Sequence, residues 1–175
     1  REMQEEAEAL IEQQNLEEKW VLVLASKNWH SGVIGNVASD LNEKYHRPVV
    51  LIAIEENNIG KGSARSISGF NIHDALLAQQ ELLKAFGGHK QAAGLSIVPE
   101  EIETLDKKLN QYAKQQLTPS DLVPRKKVDV AVELEQLSFA LVQELDCLAP
   151  FGCANPSPKL IVEDIKISDY KLVGS

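Results

Sequence analysis

The stretch that decides the fold is WVLVLASKNWHSGVIGNVASDLNEKYHRPVVLIAI, residues 20–54. It contains two continuous apolar runs, 20–25 and 49–54, each of a length typical of one buried strand. Between these runs, the apolar residues of 33–45 recur at helical spacing, and Ser31 is the expected N-cap of that helix. The order strand, helix, strand predicts a compact βαβ unit.

The residues that follow continue the α/β pattern. Turn-forming residues at 55–62 predict a hairpin, and Gly87 with Gly88 is expected to end a helical stretch. The other predicted elements are a strand at 63–68, one helix or two short helices at 70–86, a strand at 92–98 and a helix that begins at Pro99. We therefore predict an α/β domain with a mixed sheet and helices.

The pattern changes near residue 118. Pro119, Pro124 and the basic run Arg125-Lys126-Lys127 are typical of a linker. Beyond it, alternating runs at 128–134 and 160–167, leucines at helical spacing from 137 to 145 and a strand that begins at Tyr170 predict a second, β-rich unit. The predicted organisation is a connector helix at 1–18, an α/β domain at 19–118, a linker at 119–127 and the start of an incomplete β-rich domain at 128–175.

The net charge of −8 at pH 7 excludes a protein that coats nucleic acid through a broad basic face. Any site for a polyanion must therefore be local. Many of the acids fall in two helical stretches, 1–18 and 99–106, and a binding cleft could still be basic if these acids face away from it.

Other features of the sequence indicate an excised piece of a cytoplasmic protein. No apolar run is long enough to cross a bilayer, and the N-terminus has neither an initiating Met nor an apolar signal segment. Cys147 and Cys153 are too few and too widely spaced for a zinc site. We expect them to be reduced thiols, buried or half-buried.

The segment GKGSARS, residues 60–66, is the first candidate binding site. Gly62 would let the backbone approach a ligand closely, and Ser63 and Ser66 add hydroxyl donors. Arg65 can contact a phosphate through two N–H groups. The segment is not a Walker A loop, because Gly62 interrupts the required Gly-Lys-Ser order. Taken alone, it equally describes an ordinary hairpin with an exposed arginine.

Two further segments are candidates for ligand binding. In GGHKQAAG, residues 87–94, Gly87 and Gly88 permit a tight turn that projects His89, which could bind a phosphate or a terminal sugar. Trp29 and His30 lie between a strand and a helix, where open α/β sheets bind ligands and helix N-termini favour anions. A structural histidine and a tryptophan packed on the sheet are the competing interpretations.

The sequence contains no recognisable catalytic set. The four histidines show no metal-binding spacing, no cluster of Asp and His suggests a two-metal site, and no Gly-x-Ser-x-Gly motif is present. We therefore expect this chain alone to be inactive.

Taken together, several motifs resemble the RecJ family of bacterial 5′-to-3′ single-strand DNA exonucleases. The DHH-associated domain of that family is indicated by WHSGVIG at 29–35, YHRP at 45–48, GKGSARS at 60–66 and FGGHKQAAG at 86–94. LAPFG at 148–152 with Asn155-Pro156 is similar to the opening of the family's OB-fold domain. The family's Asp-His-His motif is absent.

The resemblance implies a division of labour. An upstream DHH domain would hold Mn²⁺ or Mg²⁺, while this segment would bind single-stranded DNA in DNA repair and recombination. It further implies that Ser63, Arg65, Ser66, Gly88 and His89 contact phosphates or the terminal nucleotide. The OB-like domain would extend the path of the strand.

Two other functions stay open. A related phosphodiesterase acting on oligoribonucleotides or small nucleotides would keep the fold, although the OB-like unit disfavours it. The acidic balance also permits a non-catalytic interaction module, for instance one that docks a replication or single-strand-binding protein.

Overall fold

The two apolar runs of 20–54 become parallel neighbours in a mixed sheet, as the βαβ pattern predicts. The computed structural model describes residues 2–13 and 19–171. The chain divides between Pro124 and Arg125 into two units. The first contains α1 (Glu2–Glu12), β1 (Leu22–Ser26), α2 (Ile34–Tyr45), β2 (Val49–Ile54), β3 (Gly60–Arg65), α3 (Ile72–Leu77), β4 (Leu83–His89), β5 (Ala92–Ile97) and α4 (Ile102–Gln116).

The five strands follow the order β1-β2-β3-β5-β4. β1 and β2 are parallel, with Leu22 opposite Val49, and all other neighbours are antiparallel. A sheet with both kinds of pairing and helices on its faces confirms the predicted α/β class.

Each face of this sheet has its own apolar core, because successive side chains of a strand point to opposite faces. On the back face, α3 and α4 pack over all five strands, with Phe70, Leu105 and Leu109 fully buried. On the front face, α1 and α2 bury Leu22 and Leu51, and α2 also reaches β3. The strand residues of the front core come from β1 and β2, so the front faces of β4 and β5 are not part of this core.

The helix predicted for 70–86 is wrong beyond Leu77. A short 3₁₀ turn at Gln80–Leu82 follows α3, and the chain then enters strand β4, which contains Gly87 and Gly88. The register of β4 against β5 shifts between Leu83 and Ala85. Because of this bulge, Leu83 and Phe86 both pack on the back core although they are three residues apart. The bulge therefore imitates the apolar spacing of a helix.

The N-cap predicted at Ser31 is also wrong. Helix α2 begins at Ile34, and its N-cap is Val33, which makes no side-chain capping bond. Ser31 Oγ instead donates a hydrogen bond of 3.3 Å to Glu55 Oε1. Turns at 31–33 separate β1 from the helix and bring the α2 N-terminus toward β3.

The side chain of Asn110 in α4 fastens the start of β1. Its Oδ1 accepts hydrogen bonds from the backbone N–H groups of Trp20 and Val21, at 2.7 and 3.0 Å, and its Nδ2 donates to the Val21 carbonyl at 3.0 Å. These bonds occupy backbone groups near the edge strand that would otherwise need another partner.

We expect Asn110→Ala to lower the free energy of unfolding of the first unit by about 2 kcal/mol, since half-buried backbone groups lose their partner. Urea denaturation followed by tryptophan fluorescence would measure this. Gln111→Ala, at an exposed neighbouring position, is the matched control and should change stability by less than about 0.5 kcal/mol. Equal losses for both variants would show that water replaces the Asn110 amide.

The second unit contains β6 (Val130–Ala131), α5 (Phe139–Asp146) and β7 (Leu160–Ile161). The predicted strands at 128–134 and 160–167 are thus reduced to a two-residue parallel pair. None of its described residues, 125–171, is fully buried. Both cysteines are exposed free thiols, which corrects the expectation of burial. Tyr170 is not in a strand, and residues 172–175 of that prediction, like 14–18 of the connector helix, lie outside the described residues.

Candidate functional site

Nine residues on the front of β3, β5 and β4 form what we call the open face. Directly opposed residues of antiparallel strands share a face, so the register places them in three rows across the strands. The rows are Lys61–Ser96–Ala85, Ser63–Gly94–Gly87 and Arg65–Ala92–His89. The side chains on this face are small, polar or basic.

Two rows of the open face, Lys61–Ser96–Ala85 and Ser63–Gly94–Gly87, line a cleft of about 530 Å³, and the Arg65–Ala92–His89 row lies beside it. The entry to α2, residues Ser31, Gly32, Ile34 and Gly35, supplies lining on the other side. The residues that line the cleft include no Asp or Glu. A helix N-terminus beside a basic strand favours an anionic ligand.

Arg65 is half-buried and positioned by its neighbours. Its Nε donates to Ser39 Oγ at 2.9 Å, and its Nη1 donates to Ser63 Oγ at 3.0 Å and to the Ala64 carbonyl at 2.9 Å. Nη2 makes no hydrogen bond to a described residue. The guanidinium is therefore held in place while one of its donor nitrogens stays available.

Gly35 in α2 makes this position of Arg65 possible. A Cβ at residue 35 would lie 3.2 Å from Arg65 Nη2 and 3.3 Å from Ser63 Oγ. Such contacts are tighter than ordinary van der Waals distance, so with a larger residue at position 35 the guanidinium and the Ser63 hydroxyl would have to shift by a few tenths of an ångström. The absence of a side chain there lets the helix approach β3 closely.

His89 ends the row that begins with Arg65. It is exposed, and its ring makes no hydrogen bond or ring contact with a described residue. Ala92 separates it from Arg65 on the same face. The two predicted contact residues therefore lie on one wall of the α/β layer.

Several predicted site residues do not present side chains on the open face. Ser66 is buried, and its hydroxyl donates to the Phe70 carbonyl at 2.8 Å. Gly62 lines the cleft, but a Cβ there would meet Leu95 on the back face at 2.7 Å. Gly88 likewise alternates to the back face.

Trp29 and His30, the two predicted site residues of the β1–α2 loop, have different environments. Trp29 is buried in the front core, which favours the packing interpretation. Its indole N–H has no hydrogen-bond partner among the described residues. His30 is exposed, and its Nδ1 accepts a hydrogen bond of 3.0 Å from the Gly32 N–H. His30 thus supports the loop beside the cleft.

The prediction missed Ser96 and gave Lys61 no role, and it described Gly94 only as a small residue that permits close packing beneath a ligand. Lys61 could have been found from the period-two alternation of Lys61, Ser63 and Arg65. Gly94 and Ser96 needed the pairing of β3 with β5, which joins distant parts of the sequence.

Many acids are engaged away from the cleft. Glu8 of α1 pairs with Lys44 of α2 at 2.7 Å, and the hydrogen bond from Lys44 lowers the pKa of the Glu8 carboxyl below its ordinary value. Glu81 pairs with Lys108 at 2.7 Å and its pKa is lowered in the same way. Among the residues that line the cleft, Lys61 alone is charged, so the charge of the lining is opposite in sign to the net charge of the chain. One carboxylate lies next to the lining, that of Glu55, which accepts the hydrogen bond of Ser31.

Comparison with known families agrees with this fold. Residues 18–115 match the model of the DHHA1 domain, and residues 128–175 match that of the RecJ OB domain. These matches define the class, a DHHA1 domain followed by an OB domain. The chain belongs to the RecJ family, as its motifs indicated.

Curated relatives carry the name single-stranded-DNA-specific exonuclease RecJ. The Bacillus subtilis protein is 38% identical over 174 residues, which is 99% of this chain and 22% of the relative. The Escherichia coli protein is 31% identical over 157 residues, 87% of this chain and 27% of the relative. The chain thus spans about a quarter of the length of these relatives.

A crystal structure of RecJ in complex with Mn²⁺ from Thermus thermophilus superposes with a TM-score of 0.71 at 29% identity. The match covers 91% of this chain and 24% of that one. A second crystal structure, with Mg²⁺, gives a TM-score of 0.67. The sheet and its helices therefore have the arrangement found in solved members of the family.

The residues described here do not fit the metal ions of those structures. Within 2–13 and 19–171, no three His, Cys, Asp or Glu side chains are grouped so that they could hold a metal ion. We assign no step of hydrolysis to this part of the chain. None of the helices formed by the described residues has the length and apolar character that a membrane span requires.

Proposed function

We propose that this chain is the substrate-binding part of a single-stranded-DNA exonuclease that acts in DNA repair and recombination. The observation that carries the proposal is the row Arg65–Ala92–His89 on an open face beside a cleft whose lining includes no carboxylate. Single-stranded DNA is the ligand that this charge pattern and the names of the relatives favour.

Arg65 is the principal phosphate contact in this proposal. Its Nη2 is available, and a charged donor held in place binds phosphate oxygens more strongly than a neutral one. Ser63 Oγ accepts its bond from Arg65, so its own hydrogen can be donated to the same phosphate. His89 at the far end of the row adds a third polar contact to the phosphate or to the terminal sugar.

Hydrolysis belongs to another part of the protein in this proposal. A domain outside this chain would hold Mn²⁺ or Mg²⁺ and activate water. The domain 19–118 would hold the strand, and the OB-like domain from 128 onward would continue its path after the linker at 119–127. Such a division explains how a chain without a metal-binding cluster among its described residues serves a nuclease.

The test is to measure how the purified chain binds a fluorescent single-stranded oligodeoxythymidine, the matching duplex and an oligoribonucleotide. We expect preference for the single DNA strand, affinity that falls with salt at roughly 0.7 log units per neutralised phosphate, and no cleavage in Mn²⁺. Preference for short RNA would favour the phosphodiesterase alternative.

Pull-down with a single-strand-binding protein addresses the interaction-module alternative. If variants at Arg65 and His89 kept DNA affinity but lost protein binding, docking would replace nucleic-acid binding as the proposed function. If the pure chain degraded DNA, the assignment of catalysis to another domain would be wrong.

A further inference from the structure

A second cation lies on the open face beyond the row of Arg65 and His89. Lys61 is exposed in the cleft lining, and its Nζ is 3.3 Å from Ser96 Oγ in the neighbouring strand. Lys44, Lys107 and Lys108 are each paired with a glutamate. Lys61 makes no ion pair with a described residue. Its charge is therefore available to a ligand in the cleft.

Strand β3 sets the distance between the row that contains Lys61 and the row that contains Arg65. Lys61 and Arg65 are four residues apart on β3 and point to the same face. At about 3.3 Å per residue, their Cα atoms are separated by about 13 Å. One nucleotide is too short to reach both, whereas a strand of several nucleotides that runs along β3 can.

The row between these two cations is Ser63–Gly94–Gly87, and two of its three residues are glycines. Gly87 and Gly94 are directly paired, and both are exposed. A Cβ at Gly87 would meet nothing within 4 Å, and one at Gly94 would meet only the Gly62 carbonyl, at 3.8 Å. Neither residue has a positive φ.

The fold therefore does not require glycine at these two positions. Glycine in a strand interior weakens the strand, and one common reason for its presence is close approach of a ligand to the backbone. The open row lies where the sugar and base between two bound phosphates would have to pass.

Resting on the function proposed above, we propose that Lys61 and Ser96 form a second phosphate subsite. The nucleic-acid strand runs along β3 from the Arg65–His89 row to the Lys61–Ser96 row. The intervening sugars and bases lie over the backbone of Gly87 and Gly94. The ligand of the open face is then an oligonucleotide longer than one nucleotide, bound through two separate phosphates.

The test compares a short ligand with a long one. Thymidine 5′-monophosphate and a 5′-phosphorylated octathymidylate would compete with a labelled oligonucleotide for the chain, in wild type, Lys61→Ala, Arg65→Ala and Lys114→Ala. Lys114 is an exposed lysine of α4, on the back of the sheet, and removing it changes the net charge equally. Thermal unfolding would verify that each variant is folded.

We expect Lys61→Ala to weaken octamer binding about 5- to 10-fold, to reduce the salt slope by roughly 0.7, and to change monophosphate binding less than 2-fold. Arg65→Ala should weaken both ligands, and Lys114→Ala neither. If Lys61→Ala matched Lys114→Ala, or weakened the monophosphate as much as the octamer, the second subsite would be disproved. If the wild type bound neither ligand, or Arg65→Ala also had no effect, the proposed function itself would fail.

Discussion

Replacing Arg65 by alanine is expected to weaken binding of single-stranded DNA by about 10- to 100-fold. The variant removes a charged donor held by Ser39 and Ser63 on the open face beside the cleft, and hydrogen bonds to charged groups contribute about 1.5–3 kcal/mol each. Fluorescence anisotropy over a series of salt concentrations would measure the loss and a shallower salt dependence.

Arg65→Lys separates charge from geometry. Lysine keeps the positive charge but not the planar arrangement of donors, so we expect it to retain the salt dependence and recover only part of the affinity. Thermal stability should change little in both variants, because Ser39 is exposed and can bond to water. DNA affinity within 2-fold of wild type in folded Arg65→Ala would remove Arg65 from the site.

The neighbouring glycines Gly87 and Gly88 of β4 should differ strongly in how much stability each loses on substitution by alanine. Gly88 has φ of +148°, and a Cβ there would lie 2.4 Å from the Ala92 carbonyl oxygen and 2.5 Å from Ala93 Cα. Backbone atoms of the paired strand cannot move aside cheaply. We therefore expect Gly88→Ala to lower the free energy of unfolding by about 3 kcal/mol, from the unfavourable backbone conformation and the clash together.

Gly87→Ala is the matched control for this prediction. Its Cβ would enter open space and its φ is ordinary, so stability should change by less than about 0.5 kcal/mol. DNA affinity should nevertheless fall several-fold, because the added methyl group occupies the open face. Urea denaturation and DNA titration of both variants would test this. Equal stability losses would contradict the assignment of the two glycines to different faces.

The fold could be predicted from the sequence wherever one local pattern was sufficient. The run at 49–54 coincides with β2, because a short continuous apolar stretch suits a strand buried on both faces. β4 was missed because its bulge places Leu83 and Phe86 on one face and so changes the expected period. Such an irregularity depends on pairing with β5, which the local sequence does not reveal.

The same limit applies to the candidate site. Glycines and an arginine in one short segment were enough to select Ser63 and Arg65 as candidates, and both lie on the open face. Ser66 follows Arg65 directly, and its side chain points to the back face, because successive side chains of an extended chain point to opposite faces of the sheet. The rows that add Gly94 and Ser96 follow from the register of β3 with β5.

The register shift in β4 also affects whether two molecules of this chain can pair through their sheet edges. β4 is an outermost strand of the sheet, and an outermost strand exposes backbone groups that can recruit another chain. The shift between Leu83 and Ala85 leaves the exposed Lys84 without a partner in the ladder. A margin that is interrupted by a bulge and carries a lysine is a poor template for a second molecule, so the glycine-rich border of the sheet does not invite aggregation.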